Sequence, residues 1–102
     1  MLSDLSIVGV TVLGYPDKTA KSGYRFKIAL ASVAPTPLVP TQAEELLAEK
    51  AINEETIMEA AQAAMDAATP IDDVRGSARY RKYMVRNLTR QALTDVWKKL
   101  TE

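Results

Sequence analysis

The chain contains no cysteine and no histidine. Disulfides, thiolate chemistry, the usual zinc ligand sets and the commonest general base are therefore excluded. A catalyst built from these residues would have to run on carboxylates, lysine, tyrosine or serine. Excess charge of one sign is also missing, since 13 Lys and Arg balance 13 Asp and Glu. Long apolar runs are absent too: the start, M-L-S-D-L-S, has neither a basic n-region nor an apolar h-region, and wholly apolar stretches span only a few residues. The expectation is a soluble, cytoplasmic protein without a membrane segment. Its 102 residues fit a single domain, residues 1–102. A domain of that size buries about two-thirds of its unfolded surface, so the core is modest and a deeply buried active site is not expected.

What charge there is divides along the chain. From Thr41 to Asp66 seven acids (Glu44, Glu45, Glu49, Glu54, Glu55, Glu59, Asp66) stand against Lys50. From Arg75 to Lys99 eight bases stand against Asp95. Segments of opposite sign either pair with each other or face different partners.

Hydrophobic periodicity divides the chain into a β part and an α part. The run L-S-I-V-G-V-T-V-L predicts a strand over 5–13, apolar on both faces, which suits a strand covered on both sides or a partner sheet. A second strand, over 24–33, alternates cleanly, with Tyr24, Phe26, Ile28 and Leu30 inward and Arg25, Lys27, Ala29 and Ala31 outward. The intervening Y-P-D-K-T-A-K-S-G has the turn chemistry of a hairpin with a loose loop. Three helices follow. Thr41 and Glu44 have capping-box spacing, which predicts a helix over 42–50 with Ala43, Leu46 and Leu47 inward. Asn53 caps a helix over 54–68, with Ile57, Ala60, Ala61, Ala64 and Met65 on one face, ended by Thr69-Pro70. Ser77 caps the longest, over 77–100, with Tyr80, Met84, Leu88, Ala92, Val96 and Leu100 at i+4 steps and Val85, Leu93 and Trp97 broadening the stripe. Strands followed by helices argue for an α+β fold, a small antiparallel sheet with helices on one face. Because two strands are barely stable alone, a third is expected, from Leu38-Val39 or from a neighbouring domain.

Chemistry-bearing residues are densest from Asp72 to Arg81, D-D-V-R-G-S-A-R-Y-R. Two adjacent carboxylates without further oxygen ligands make a poor cation site and suit a helix N-terminus better. Ser77 has no histidine to activate it, and N-capping accounts for it. Asp73, Arg75, Tyr80 and Arg81 gather around the start of the last helix, where they either orient that helix or grip another chain. Arg75, Arg79, Lys82, Arg86 and Arg90 form one basic stripe with Tyr83 beside it. Such a stripe can meet phosphates or an acidic protein, but zero net charge and the absence of Gly-rich or aromatic-interleaved motifs favour a solvated or internally paired face. The carboxylates of the first two helices read as exposed helix residues rather than acid/base pairs.

Three stretches carry a family resemblance: I-A-L-A-S-V-A-P-T-P over 28–37, A-E-E-L-L over 43–47, and D-V-R-G-S-A-R-Y-R over 73–81. Together they resemble the C-terminal domain of the FAD-binding medium subunit of molybdenum hydroxylases, the carbon monoxide dehydrogenase and xanthine dehydrogenase group. The similarity spans nearly the whole chain in the family's order, departing at Ala31, where glycine is usual. It implies a sheet of about three strands against a three-helix bundle, in a subunit whose preceding region holds FAD. It also implies partners: the FAD-binding domains of the same subunit, a molybdenum large subunit and an iron–sulfur small subunit, with electrons passing from molybdenum through the clusters to FAD. Only the last domain of such a subunit is recognisable here, as an excised domain or a separately encoded fragment. Asp4 matches the end of a family segment, R-x-x-x-D-L, whose upstream bases lie near the flavin and are absent here. The resemblance therefore implies a non-catalytic domain with no cofactor of its own and no nucleic-acid partner, able to form a homo-oligomer when isolated. Its motif residues, Pro35, Thr36, Pro37, Asp73, Arg75, Ser77, Tyr80 and Arg81, are interface candidates. The prolines force an extended exit from the second strand, stiffening the path from sheet to helices.

Overall fold

The structure, a computed structural model, describes residues 9–31, 39–67 and 77–102, with the backbone alone at 31 and 77–82. Strand β1 (Gly9–Pro16) pairs antiparallel with β2 (Tyr24–Ala31), and helices α1 (Thr41–Glu49), α2 (Glu54–Ala67) and α3 (Ser77–Thr101) follow. The architecture is α+β, as the order of patterns implies. Among the described residues the sheet has two strands. Val39 lies in no strand, and Leu38 falls outside the described residues.

The pairing sets Val10, Val12, Gly14 and Pro16 opposite Leu30, Ile28, Phe26 and Tyr24. Antiparallel residues alternate between those that exchange backbone bonds with the partner strand and those that turn them outward. Ile28 is of the second kind, because its N–H donates to Glu44 Oε2 at 2.7 Å. Pro16 shares that parity, so its missing N–H removes nothing from the ladder and β1 runs three residues past the expected end at Leu13.

Glu44 corrects a second expectation. Helix α1 begins at Thr41 after Pro40 with no side-chain cap hydrogen bond, so the capping box does not form. The Glu44 carboxylate is instead committed to the open edge of β2, where it satisfies a strand N–H that would otherwise go unpaired. Asn53 does cap α2, its Oδ1 accepting from Thr56 N–H at 2.9 Å. The buried Thr56 hydroxyl then donates to Ala51 carbonyl at 2.6 Å, tying the α1–α2 connection to the helix.

The hairpin loop, expected to be loose, is closed by its own bonds. Asp17 N–H donates to Gly23 carbonyl, Gly23 N–H to Ala20 carbonyl, and Gly23 turns the chain at φ 87°, which glycine adopts without strain. Ser22 then meets the end of α1. Its N–H donates to Ala48 carbonyl at 2.9 Å and its hydroxyl to Leu47 carbonyl at 2.6 Å, satisfying carbonyls that a helix C-terminus leaves free.

The core lies where α1 meets β2 and α3 crosses β1, with α2 between the other helices. Phe26, Ile28 and Leu30 meet Ala43 and Leu47 of α1, Ile57, Ala60 and Ala64 of α2, and Val85 and Leu93 of α3. The alanines let the helices approach closely, and Trp97 meets Tyr24 edge-to-face at 4.9 Å, a geometry worth about 0.5–1.5 kcal/mol beyond the buried area. Gly14 marks the tightest contact: a Cβ there would lie 2.7 Å from Val96 Cγ1 and 2.9 Å from Phe26 Cε2. On α3 the fully buried line is Val85, Thr89 and Leu93: Val85 and Leu93 belong to the expected stripe, Thr89 does not, and Met84, Leu88, Val96 and Leu100 are half-buried flanks. Burial follows the centre of the contact with the sheet and α2, and there the small Thr89 fits between two aliphatic neighbours.

Candidate functional site

Of the residues singled out from sequence, Pro35, Thr36, Pro37, Asp73 and Arg75 lie outside the described residues. Ser77, Tyr80 and Arg81 occupy the first turns of α3, with side chains outside the description. The described surfaces that remain are a sheet face, a helix groove and part of the basic stripe.

The sheet face comes from the strand parity opposite to the core. Thr11, Leu13 and Tyr15 of β1 stand across from Ala29, Lys27 and Arg25 of β2. Among the described residues no element covers them: Leu13 is 60% exposed, Tyr15 36% and the adjacent Val39 52%. Thr11, Leu13, Ala29 and Val39, with the stem of Lys27, line a shallow groove of about 270 Å³. Apolar residues on both parities of β1 suit a strand covered on both sides or a partner sheet; among the described residues β1 is covered on one side. At the end of this face Arg25 Nε donates to Asp17 Oδ2 at 2.6 Å. The Thr19 hydroxyl, at 2.6 Å, donates to Asp17 Oδ1, and the Thr19 N–H does so at 2.9 Å. Those bonds, the hydroxyl first, then the amide and Arg25, hold the Asp17 carboxyl below its ordinary pKa.

The helix groove, of about 660 Å³, separates the start of α2 from the second half of α3. Ile57, Met58 and Trp97 supply its apolar walls, and Arg90, Lys98 and Glu54 its charges. Nearer the start of α3, Arg86 lies over the Tyr83 ring at 5.2 Å. The stripe was expected to be solvated or paired with the acids of α1 and α2. Among the described residues the ion pairs are Asp17–Arg25 and Lys50–Glu59; Arg90 is exposed, and Arg86, half-buried, donates to Asn87 Oδ1 at 3.4 Å. Both members of Lys50–Glu59 are about half exposed, which places that pair in the range of about 0–1 kcal/mol.

Chemically, these surfaces offer contact. No three His, Cys, Asp or Glu side chains among the described residues are grouped to hold a metal ion, and no helix described is long and apolar enough to cross a membrane. The open sheet face escaped the sequence reading as a site, although its signal was present in the apolar residues on both parities of β1. Glu44 escaped because its partner, Ile28 N–H, is sixteen residues away.

Comparison with known proteins places these features in a family. Residues 3–96 match the family described as CO dehydrogenase flavoprotein C-terminal domain. The chain is 34% identical over 80 residues to the carbon monoxide dehydrogenase medium chain of Hydrogenophaga pseudoflava, covering 78% of this chain and 28% of that one. A solved structure of the carbon monoxide dehydrogenase of that organism, lacking the Mo-pyranopterin moiety of its molybdenum cofactor, is similar with a TM-score of 0.75 at 34% identity. That match covers 89% of this chain and 31% of the other. Cyanide-inactivated Cu,Mo-CO dehydrogenase is similar at 26% identity with a TM-score of 0.69, over 85% and 30% of the two chains. Quinoline 2-oxidoreductase from Pseudomonas putida 86 shares the fold, with a TM-score of 0.70 at 22% identity, over 88% and 32%. The chain thus spans about a third of the length of these relatives. On the family match and these likenesses, the chain belongs to the CO dehydrogenase flavoprotein C-terminal domain family.

Proposed function

We propose that this chain is a non-catalytic domain of a molybdenum hydroxylase FAD subunit, a single unit over residues 1–102 that supports the flavin region and packs against partner domains and subunits. The family match over residues 3–96 carries this reading. The wider assembly is an oxidoreductase in which FAD sits in the remainder of the subunit, with a molybdenum large subunit and an iron–sulfur small subunit as further partners, in the cytoplasm. Pro35, Thr36 and Pro37, leaving β2, and Asp73, Arg75, Ser77, Tyr80 and Arg81, at the head of α3, are the joints on which partner contacts are set. The 102-residue chain alone is expected to bind no FAD, whereas a chain carrying it behind a medium-chain flavin region is expected to bind one equivalent, read by flavin absorbance after gel filtration. Stoichiometric FAD binding by the chain alone would contradict the assignment of the ligands to the rest of the subunit.

A second reading, an independent module that binds nucleic acid or an acidic protein, rests on Arg86 and Arg90, which have no carboxylate partner among the described residues. Duplex DNA titrated at low and moderate salt separates the two, because phosphate binding must weaken steeply as salt rises. Zero net charge favours the first.

A further inference from the structure

Five large apolar side chains are well exposed among the described residues, and three of them, Leu13, Tyr15 and Val39, belong to the open side of the hairpin. A strand that faces water on one side normally alternates apolar with polar residues. β2 does so, with Arg25 and Lys27 outward, but β1 places Leu13 and Tyr15 where polar residues would stand. We infer that this open face, centred on Leu13 and Tyr15 with Val39 at its margin, is the docking surface for the FAD-binding portion of the same subunit. The inference rests on the medium-subunit reading above and adds which face is used.

One observation favours this occupant. The relatives' chains are about three times as long as the matched region, so each contains a large body of polypeptide attached to a domain of this kind. The face it would meet is apolar at its centre and bordered by charges of both signs: Lys27 lies in the groove with Glu44, which accepts from Ile28 N–H, and Arg25 beside Tyr15 is paired with Asp17.

The test uses the Hydrogenophaga pseudoflava medium chain with its matching region replaced by residues 3–96 of this chain, and a specific protease site at the junction. After cleavage the two fragments are expected to co-elute with FAD retained. Leu13→Lys with Tyr15→Lys is expected to lower the co-eluting fraction at least tenfold, while the same substitutions leave the thermal melt of the 102-residue chain unchanged. Met58→Lys, in the other groove, is expected to leave co-elution intact. Co-elution undiminished by the double substitution overturns the assignment of this face but leaves the medium-subunit reading standing. Loss with Met58→Lys alone moves the contact to the helix groove. Separation of the unsubstituted fragments without FAD uptake removes both the face and the reading. A dimer of the 102-residue chain in sedimentation, dissolved by Leu13→Lys, replaces the proposed occupant with a second copy.

Discussion

The two faces of one hairpin differ more than any two helices of the molecule. On one, Val10, Val12 and Gly14 meet Phe26, Ile28 and Leu30 under α1 and α3, with the β2 residues at most 2% exposed. On the other, one residue along each strand, Leu13 and Tyr15 stand beside Lys27 and Arg25 in the open. Both faces of β1 are apolar, so composition does not distinguish them; what α3 covers does. Apolar side chains contribute to this fold only where a second element removes them from water, and those left over are available to a partner.

Substitutions at matched positions break the comparison most sharply. Ile28→Ala removes a buried side chain at the meeting of β2, α1 and α2, with an expected cost of about 2–5 kcal/mol. Leu13→Ala, on the opposite face, is expected to stay within about 0.5 kcal/mol. Urea denaturation of the two variants measures both, and similar losses would mean that the open face is covered in the free chain. Gly14→Ala comes next. Its new methyl would press on Val96, Phe26 and Leu100, all within 3.1 Å, and crowding of this kind costs about 1–3 kcal/mol. If Gly14→Ala were neutral, α3 would not be seated as closely on β1 as these distances require.

Much of this was legible in the order of residues, and the failures have identifiable causes. The period-2 run of Tyr24–Ala31 and the 3.6-period runs of the helices are local signals, and so is the Asn53 cap, whose partner lies three residues away. The Thr41–Glu44 capping box fits the local rule equally well but fails, because a strand N–H brought in by tertiary structure takes the carboxylate. The stripe on α3 holds Val85 and Leu93 but omits Thr89, because hydrophobicity weights Met84 and Leu88 over Thr89, while depth depends on where the helix touches the sheet. The residues at 73–81 stand out as the densest polar stretch of the chain, but their partner, like that of 35–37, comes only from resemblance, since Pro, Thr, Ser and Tyr in such places carry no chemistry that names one. The open face was visible as doubled apolar parity in β1, but which parity the helices would claim is settled only by packing.

Thr89 sharpens the covered side further. Its hydroxyl is fully buried and has no hydrogen-bond partner among the described residues, a polar group set where the neighbouring turns of α3 place Val85 and Leu93. Replacing hydroxyl by methyl in Thr89→Val keeps the shape and removes an unsatisfied group, so stability is expected to rise by about 1 kcal/mol. The urea midpoint should increase with an unchanged slope. A decrease would show that the hydroxyl holds a bond in solution.

The smallest expected effect lies at the end of the open face and depends on pH. Asp17 accepts from the Thr19 hydroxyl and N–H and from Arg25, and these bonds hold its folded pKa below the ordinary carboxylate value that it regains on unfolding. A depressed folded pKa means that the unfolded chain binds the proton more readily. The stabilisation is therefore complete at neutral pH and disappears as pH falls from the ordinary carboxylate range through the lower folded value; raising the pH from neutral leaves it untouched. Stability of the unsubstituted chain and of Asp17→Asn, compared between about pH 6 and about pH 3, tests this, since the gap between them should close toward acid. A gap that persists at acid pH would show that the Asp17 charge is not what ties the loop. Because protonation of Asp17 also frees the Arg25 guanidinium beside Tyr15, the same acid range should make the open face more positive, while the covered face, which holds no ionisable group in its core cluster, should be unaffected.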